Sequence, residues 1–264
     1  MSQRKVALVI DGMSALGTAI CRRLQRDGLV VVAGYPMHQR QPDAWLAAQR
    51  DEGGTFSAWR ADAGAFDDCA TLVRKILGAH GRLDVLVNLG VEPGEDVAIA
   101  TDPVDGASLG RTQASHWRAG LHGVHAAFNM NKHALPPMLE RQWGRIIHVA
   151  HASAWPLPGR PLATSHAAGI AALHGLTRAL ALETARHGVT VNTVMPGFLR
   201  HHDGAAAVTT LATGAEDRAV AAHIPVGRRG EATEVAALVG YLASESAGFV
   251  TGAQIAINGG QHMV

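Results

Sequence analysis

The sequence has little cysteine and no long hydrophobic run. Its two cysteines, Cys21 and Cys69, cannot form a disulfide framework, which favours a reducing compartment, the cytoplasm. No run approaches the roughly 18 apolar residues that cross a membrane, and the first apolar run, Val6–Ile10, is too short for a signal peptide. We therefore expect neither a membrane span nor a secreted protein.

The sequence also lacks an excess of either charge. Lysine and arginine together number 23, aspartate and glutamate 22, and the formal net charge is +1. An extended nucleic-acid interface needs clustered positive charge, so we expect no nucleic-acid partner. Apolar residues make up 47% and charged residues 17% of the 264 residues, which allows a sizeable core. No linker divides the chain, and we predict one domain over residues 1–264.

Tyrosine and lysine are scarce. The only tyrosines are Tyr35 and Tyr241, and neither has a lysine four residues later. No lysine follows Lys132. The chain therefore has no lysine one helical turn after a tyrosine.

Histidine, by contrast, is abundant, with 15 residues. His122 and His125 are three apart in a predicted helix, a spacing that places two imidazoles on one side, as metal sites do. His148 and His151 are three apart near a predicted strand end, and residues at that spacing in a strand point to opposite faces. Supporting acidic or cysteine ligands are not evident, so we expect hydrogen-bonded imidazoles and no metal.

Short β-branched runs alternate with longer helical stretches along the chain. The pattern predicts strands at residues 6–10, 29–33, 55–59, 83–87, 146–149, 189–194 and 254–257. It predicts helices at residues 15–27, 66–79, 117–141, 164–186 and 231–244, with Pro136 and Pro137 interrupting the third. Because the strands are continuously apolar, we expect an α/β fold whose parallel sheet is covered by helices on both faces.

The predicted helix at residues 164–186 is apolar on nearly every side. Between residues 167 and 182 its strongly polar positions are His174, Thr177 and Arg178. Such a helix is typically buried on more than one face, which indicates that one face packs on the sheet and the other on a second subunit. The alternative is an alanine-rich helix with no second partner, because alanine tolerates either environment.

The first predicted strand runs into the turn Ile10-Asp11-Gly12-Met13-Ser14-Ala15-Leu16-Gly17 and then into a helix. A glycine-containing turn at this point lets backbone N–H groups and the helix N-terminus hold a pyrophosphate. Two glycines in such a turn are a weak signal by themselves.

With further segments, this turn resembles the short-chain dehydrogenase/reductase family, in particular its NADPH-dependent acetoacetyl-CoA reductases of polyhydroxybutyrate synthesis. The resemblance covers nearly the whole chain. It is carried by Gly17-Thr18-Ala19-Ile20-Cys21-Arg22-Arg23-Leu24, Leu83-Asp84-Val85-Leu86-Val87-Asn88, Trp143-Gly144-Arg145-Ile146, Leu173-His174-Gly175-Leu176-Thr177, Gly188-Val189-Thr190-Val191-Asn192-Thr193-Val194 and the tail Asn258-Gly259-Gly260-Gln261-His262-Met263. It implies a Rossmann-type doubly wound sheet of seven strands in the order 3-2-1-4-5-6-7, and a homo-oligomer, a tetramer.

The resemblance also implies a nicotinamide dinucleotide on the turn that contains Asp11, Gly12, Met13, Leu16 and Gly17. The family pattern is Thr-Gly-x-x-x-Gly-x-Gly, in which Asp11 and Ala15 stand for the first two glycines. Asp11 brings a carboxylate near the phosphates and a Cβ to a site of close approach. Either it opposes NADP(H) binding, or a small backbone shift turns it away and leaves binding weakened.

Other positions match the rest of the implied cofactor site. No acid follows the second predicted strand, and Arg40 lies nearby, which favours NADP(H) over NAD(H). The positions that match the family's adenosine and nicotinamide contacts are Asp62, Asn88, Gly90, Pro196 and Gly197.

The family's reaction uses a tyrosine as proton donor, a lysine four residues later, a serine and an asparagine. Here the tyrosine position falls on His166 and the lysine position on Ile170. The serine position falls on Ser153 or on His151, depending on where a two-residue insertion is placed. The asparagine position falls near Gly123 or Val124, and no asparagine occurs between Gly120 and Phe128.

Two classes of function follow. The missing tyrosine, lysine and asparagine favour a catalytically impaired or non-catalytic member, which binds a ligand or joins active subunits in a mixed oligomer. The alternative is an active NADPH-dependent oxidoreductase that reduces a 3-oxoacyl-CoA or a related carbonyl, with His166 as the proton donor.

Overall fold

The structure is a computed structural model that describes residues 4–36, 42–90, 110, 113–150, 164–200, 218 and 220–263. Its strands form one parallel sheet of seven strands. They are β1 (Val6–Ile10), β2 (Val30–Tyr35), β3 (Ser57–Arg60), β4 (Val85–Leu89), β5 (Gly144–Val149), β6 (Val189–Pro196) and β7 (Gln254–Ile257). The order is β3-β2-β1-β4-β5-β6-β7, so the predicted fold and strand order are confirmed.

Helices cover both faces of this sheet. They are α1 (Ala15–Arg26), α2 (Pro42–Asp51), α3 (Phe66–His80), α4 (Ala114–Gly120), α5 (His122–Glu140), α6 (Thr164–Thr184) and α7 (Ala232–Ala243). Core side chains of α3 and α5 pack on one face, and those of α1 and α7 pack on the other. Each face buries its own apolar cluster, which explains why the central strands are apolar on both sides.

Helix α2 was missed by the sequence pattern because its buried residue is the polar Gln49, so no apolar stripe marks a face towards the core. Tertiary contacts hold it in place instead. The Trp45 indole donates to the Thr18 hydroxyl at 3.0 Å and stacks on Phe56 at a centroid distance of 5.8 Å.

The predicted interruption at Pro136 and Pro137 is wrong. Helix α5 continues through both prolines to Glu140, and the break falls earlier, at Leu121 between α4 and α5. The prolines remove two backbone hydrogen bonds, but the side chains around them compensate, since Leu135 and Met138 are buried in the core.

Helix α6 has a buried face and an exposed face. The buried face includes Gly169, Leu173, Thr177 and Ala181 and packs against β6, α4 and α5. Most of the exposed residues are small or apolar. These are Ala171, Ala172, Gly175, Ala179 and Leu182. Leu182 is 84% exposed. The structure thus shows the packing of one face, and a partner for the other stays a prediction.

Among the described residues, no helix is both long and apolar enough to span a membrane.

Candidate functional site

The candidate site begins at the carboxyl end of β1, where the chain turns into α1. The Asp11 carbonyl accepts from the Ser14 amide at 3.2 Å and from the Ser14 hydroxyl at 2.8 Å. That hydroxyl in turn caps α1 by accepting from the Gly17 amide at 3.1 Å. The turn is therefore closed by hydrogen bonds of its own backbone and of one serine.

Close packing explains the two glycines of this turn. A Cβ on Gly17 would lie 2.2 Å from the Asp11 carbonyl oxygen, and a Cβ on Gly12 would lie 2.8 Å from Cβ of Ala33. Neither neighbour can yield, because one is backbone and the other belongs to a buried strand. The strand–turn–helix geometry of a phosphate-binding loop is thus present, and Met13 and Leu16 lie half-buried in it.

Asp11 has an unusual backbone conformation. Its φ is +54°, and among the described residues the only other non-glycine residue with positive φ is Gln142, at +51°. The left-handed region costs an ordinary L-residue about 1–2 kcal/mol and is reached most easily by Gly, Asn and Asp. The backbone therefore keeps the conformation that a glycine would adopt, while the side chain adds a half-buried carboxylate.

The turn after β3 lies along the same edge of the sheet and contains Asp62. One Asp62 carboxylate oxygen accepts from the Gly64 amide at 2.8 Å. The Asn129 amide of α5 donates to the carbonyls of Ala63 and Gly64, at 3.1 and 3.0 Å. This turn is thereby held to α5.

His122, the first residue of α5, packs directly on that turn. A Cβ on Gly64 would lie 2.7 Å from Cε1 of the His122 imidazole. Burial lowers the pKa of His122, Asp62 acts in the opposite direction, and His125 lowers the pKa further. From the sequence, His122 was considered only as a partner of His125. No local sequence pattern predicts its contact with Gly64.

Asn88 is directed into the protein interior. Its amide donates to the Asn131 side-chain oxygen at 3.0 Å, and the Asn131 amide lies 3.0 Å from Nε2 of His148. Nδ1 of His148 lies 2.8 Å from the Thr177 hydroxyl, which donates to the Leu173 carbonyl at 2.9 Å. Because the threonine proton is used there, we assign the His148 proton to Nδ1 and make Nε2 the acceptor.

These five residues form a continuous buried network beneath the carboxyl edge of the sheet. Asn88 and His148 stand at the same register on β4 and β5, and Thr193 continues that register on β6. Burial, and to a lesser extent His174, lowers the pKa of His148 from 6.5 to about 3. The imidazole is therefore neutral at physiological pH.

The remaining sequence-predicted residues are placed as follows. The Gly90 amide donates to the Val149 carbonyl at 3.0 Å, beyond the ends of β4 and β5. Pro196 ends β6, and the Gly197 amide donates to the Ile257 carbonyl at 2.9 Å. Arg40, His151 and Ser153 lie outside the described residues.

His166 and Ile170 lie one turn apart near the start of α6, both half-buried. The start of α6 packs tightly on α4, since a Cβ on Gly169 would lie 2.1 Å from the Gly120 carbonyl oxygen. An imidazole and a sec-butyl group thus occupy neighbouring positions on one helix face.

The described residues contain no group of three or more His, Cys, Asp or Glu that could hold a metal ion. His122 lies against a turn and His148 lies within the core network, so these two do not converge on a common point.

The sheet order and the turn after β1 define a Rossmann-type domain of the kind that holds dinucleotides. A family model described as enoyl-(acyl carrier protein) reductase matches residues 12–262. The acetoacetyl-CoA reductase of Cupriavidus necator is 35% identical over 264 residues, covering 100% of each chain. The acetoacetyl-CoA reductase of Allochromatium vinosum is 34% identical over 262 residues, covering 98% of this chain and 99% of that protein.

Nodulation protein G of Azospirillum brasilense is 35% identical over 263 residues, covering 98% of each chain. The crystal structure of gox2181 superposes with a TM-score of 0.80 at 24% identity, covering 98% of this chain and 96% of that one, and it shows the fold alone. The chain belongs to the short-chain dehydrogenase/reductase family, and it is similar to acetoacetyl-CoA reductases over its full length.

Proposed function

We propose that this chain is a family member that does not carry out the usual carbonyl reduction and is catalytically impaired or non-catalytic. The observation that carries the proposal is the pair His166 and Ile170 on one face of α6. Ile170 supplies no cation to tune a neighbouring acid, and no lysine follows Lys132 in the chain to replace it. Loss of a positioned acid alone typically costs about 10²- to 10⁴-fold in rate.

The start of α5 supports the same proposal. The resemblance assigns the family's asparagine position to Gly123 or Val124, and neither residue has a polar side chain to fix a water. Of the two candidates for the serine position, one is His151, which would leave no hydroxyl there.

An active NADPH-dependent oxidoreductase is the second candidate. Full-length similarity of 34–35% to acetoacetyl-CoA reductases supports a 3-oxoacyl-CoA or a related carbonyl as its substrate. His166 would be the proton donor, because an imidazole titrates near neutral pH and because the family resemblance assigns the tyrosine position to His166 on α6.

NADPH oxidation with acetoacetyl-CoA separates the two functions. We expect no turnover above background with the purified wild-type chain. Turnover that is abolished by His166→Ala, and unaffected by the same change at exposed His187, would refute the first proposal and establish the second.

We further propose that the chain assembles as a homo-oligomer, a tetramer, or joins an active reductase in a mixed oligomer. The exposed small and apolar face of α6 supports an interface there, together with Phe128 on α5, which is 52% exposed. We expect light scattering to give a mass of several chains, and Leu182→Glu to lower it. A monomeric wild type would refute assembly, and a pure homo-oligomer purified from a cell containing an active reductase would refute the mixed form.

Two simpler expectations join these proposals. One sheet contains strands from the whole range between Val6 and Ile257, which supports one domain over residues 1–264.

Both thiols, Cys21 and Cys69, are free and buried, which supports a reducing compartment such as the cytoplasm.

A further inference from the structure

We infer that the dinucleotide site implied by the family is closed in this chain at two places, by Asp11 at the phosphate turn and by His122 at the adenine end. The site therefore does not hold NADP(H) or NAD(H) in the family's manner. This inference concerns the same site as the proposed function, but it is a statement about binding and can fail separately from it.

The phosphate turn, the turn from Ile10 to Gly17, has the backbone geometry of a phosphate-binding loop but contains an acidic side chain, which phosphate groups repel. Gly12, Gly17 and the left-handed Asp11 keep the compact geometry, so a collapsed loop is not the obstacle. The obstacle is a carboxylate in the turn where two phosphate groups would lie. Like charges about 4–6 Å apart at an effective dielectric of about 20 repel by an amount that corresponds to roughly 10²- to 10³-fold in affinity, which sets the upper limit of the effect of Asp11.

The same turn also uses its own donors internally. The Gly17 amide is held by the Ser14 hydroxyl and the Gly12 amide by the Gly34 carbonyl at 3.0 Å. Redirecting the Gly17 amide to a ligand would break the serine cap of α1, and a cap of this kind contributes about tenfold to a conformational equilibrium.

At the adenine end, an imidazole packs on the turn that the family uses to contact the base. The family places adenine against the residue at Asp62, and in this chain the His122 ring lies against Gly64 of the same turn. The contact is direct, because a single added Cβ on Gly64 would approach the ring to 2.7 Å. One Asp62 oxygen is committed to the Gly64 amide, which reduces what the carboxylate can offer to a base.

Helix α5 holds the imidazole in this place. Asn129 lies two turns after His122 on the same side of α5, and its amide binds the carbonyls of Ala63 and Gly64. These two bonds hold the turn to the helix that carries the imidazole. Burial of the ring lowers its pKa, which disfavours the positive charge that would attract a phosphate.

Calorimetric titration with NADPH tests both obstacles. The proteins are the wild type, the turn variant Asp11→Gly with Ala15→Gly, the single variant His122→Ala, and the combination of all three changes. We expect no saturation for the wild type up to millimolar NADPH and an affinity at least about 100-fold higher for the combined variant. Circular dichroism and the urea midpoint establish that each variant is folded.

Two matched controls are available in the same chain. Gln142→Gly removes the second non-glycine left-handed residue, so it reproduces the backbone relief of Asp11→Gly outside the site. His125→Ala removes the exposed neighbour of His122 on α5. Neither control is expected to change NADPH binding.

Micromolar binding by the wild type would overturn the inference, as would a folded combined variant that binds no better than the wild type. If the turn variant alone equals the combined variant, His122 is no obstacle. If His122→Ala weakens binding, the imidazole is a stacking surface for adenine, and that half of the inference is wrong. Wild-type binding without acetoacetyl-CoA turnover would overturn this inference and leave the proposed loss of catalysis intact.

Discussion

Protonation of His148 should lower the free energy of unfolding of this protein as the pH is lowered, and this loss should begin at a pH well above the range in which carboxylates titrate. In the folded state complete burial lowers the pKa of His148 from 6.5 to about 3, and His174 adds to that shift. The unfolded chain therefore binds a proton that the folded protein excludes. Stability from this group is fully present above pH 6.5 and is lost as the pH falls from about 6.5 towards 3.

The magnitude follows from proton linkage. Between pH 7.5 and pH 5.0, a group with pKa 6.5 unfolded and about 3 folded lowers the free energy of unfolding by about 2 kcal/mol. The physical reason is the network itself: a proton on Nε2 would face the Asn131 amide at 3.0 Å, two donors against each other. A charged ring would also lie in the core without a carboxylate in the described network.

Urea denaturation at pH 7.5 and pH 5.0 measures the effect in the wild type, in His148→Asn and in His125→Asn. Asparagine keeps a donor and an acceptor at the site but does not titrate. We expect the pH-dependent loss of stability to be about 2 kcal/mol smaller in His148→Asn than in the other two proteins. Contributions of His122 and His174, whose pKa values burial also lowers, cancel between the wild type and His148→Asn. Equal losses in all three proteins would refute the reasoning.

Two further predictions concern the phosphate turn and the thiols. Gly17→Ala places a Cβ 2.2 Å from the Asp11 carbonyl, so we expect it to lower the free energy of unfolding by about 3 kcal/mol, whereas Gly78→Ala in the open on α3 should be neutral or stabilising. Unchanged urea midpoints for Gly17→Ala would contradict the packing. Burial first, and then Asp62 and Asp68, raise the pKa of the Cys69 thiol to about 12. We expect a thiol reagent at pH 8 to leave Cys69 unmodified in the native protein and to label it after unfolding; rapid native labelling would contradict the burial.

The predicted strands lie close to the observed ones because a central parallel strand is apolar on both sides and leaves a local signal. β1 and β7 have the predicted bounds, and the others differ by a few residues at their ends. The strand order followed from resemblance to a family and was confirmed by the register of the sheet. Helix α2 left no comparable signal, because Trp45 anchors it through contacts with Thr18 and Phe56.

For the candidate site, too, some features could be predicted from the sequence and others could not. The phosphate turn could be located from the sequence because a strand, a glycine turn and a helix are consecutive in the chain. The absence of a tyrosine with a lysine four residues later could also be read from the sequence, whereas the assignment of those two positions to His166 and Ile170 follows from the family resemblance and stays a prediction. Neither conclusion needed coordinates.

The contact between His122 and Gly64 and the network around His148 were decided only by the tertiary structure. Each joins residues from separate helices, strands and turns, so no spacing along the chain encodes it. A histidine in the sequence is compatible with a metal site, a core hydrogen bond or a packing contact with a turn. The packing of α5 and α6 on the sheet selects among them, because it sets which groups face each ring and how far water is excluded.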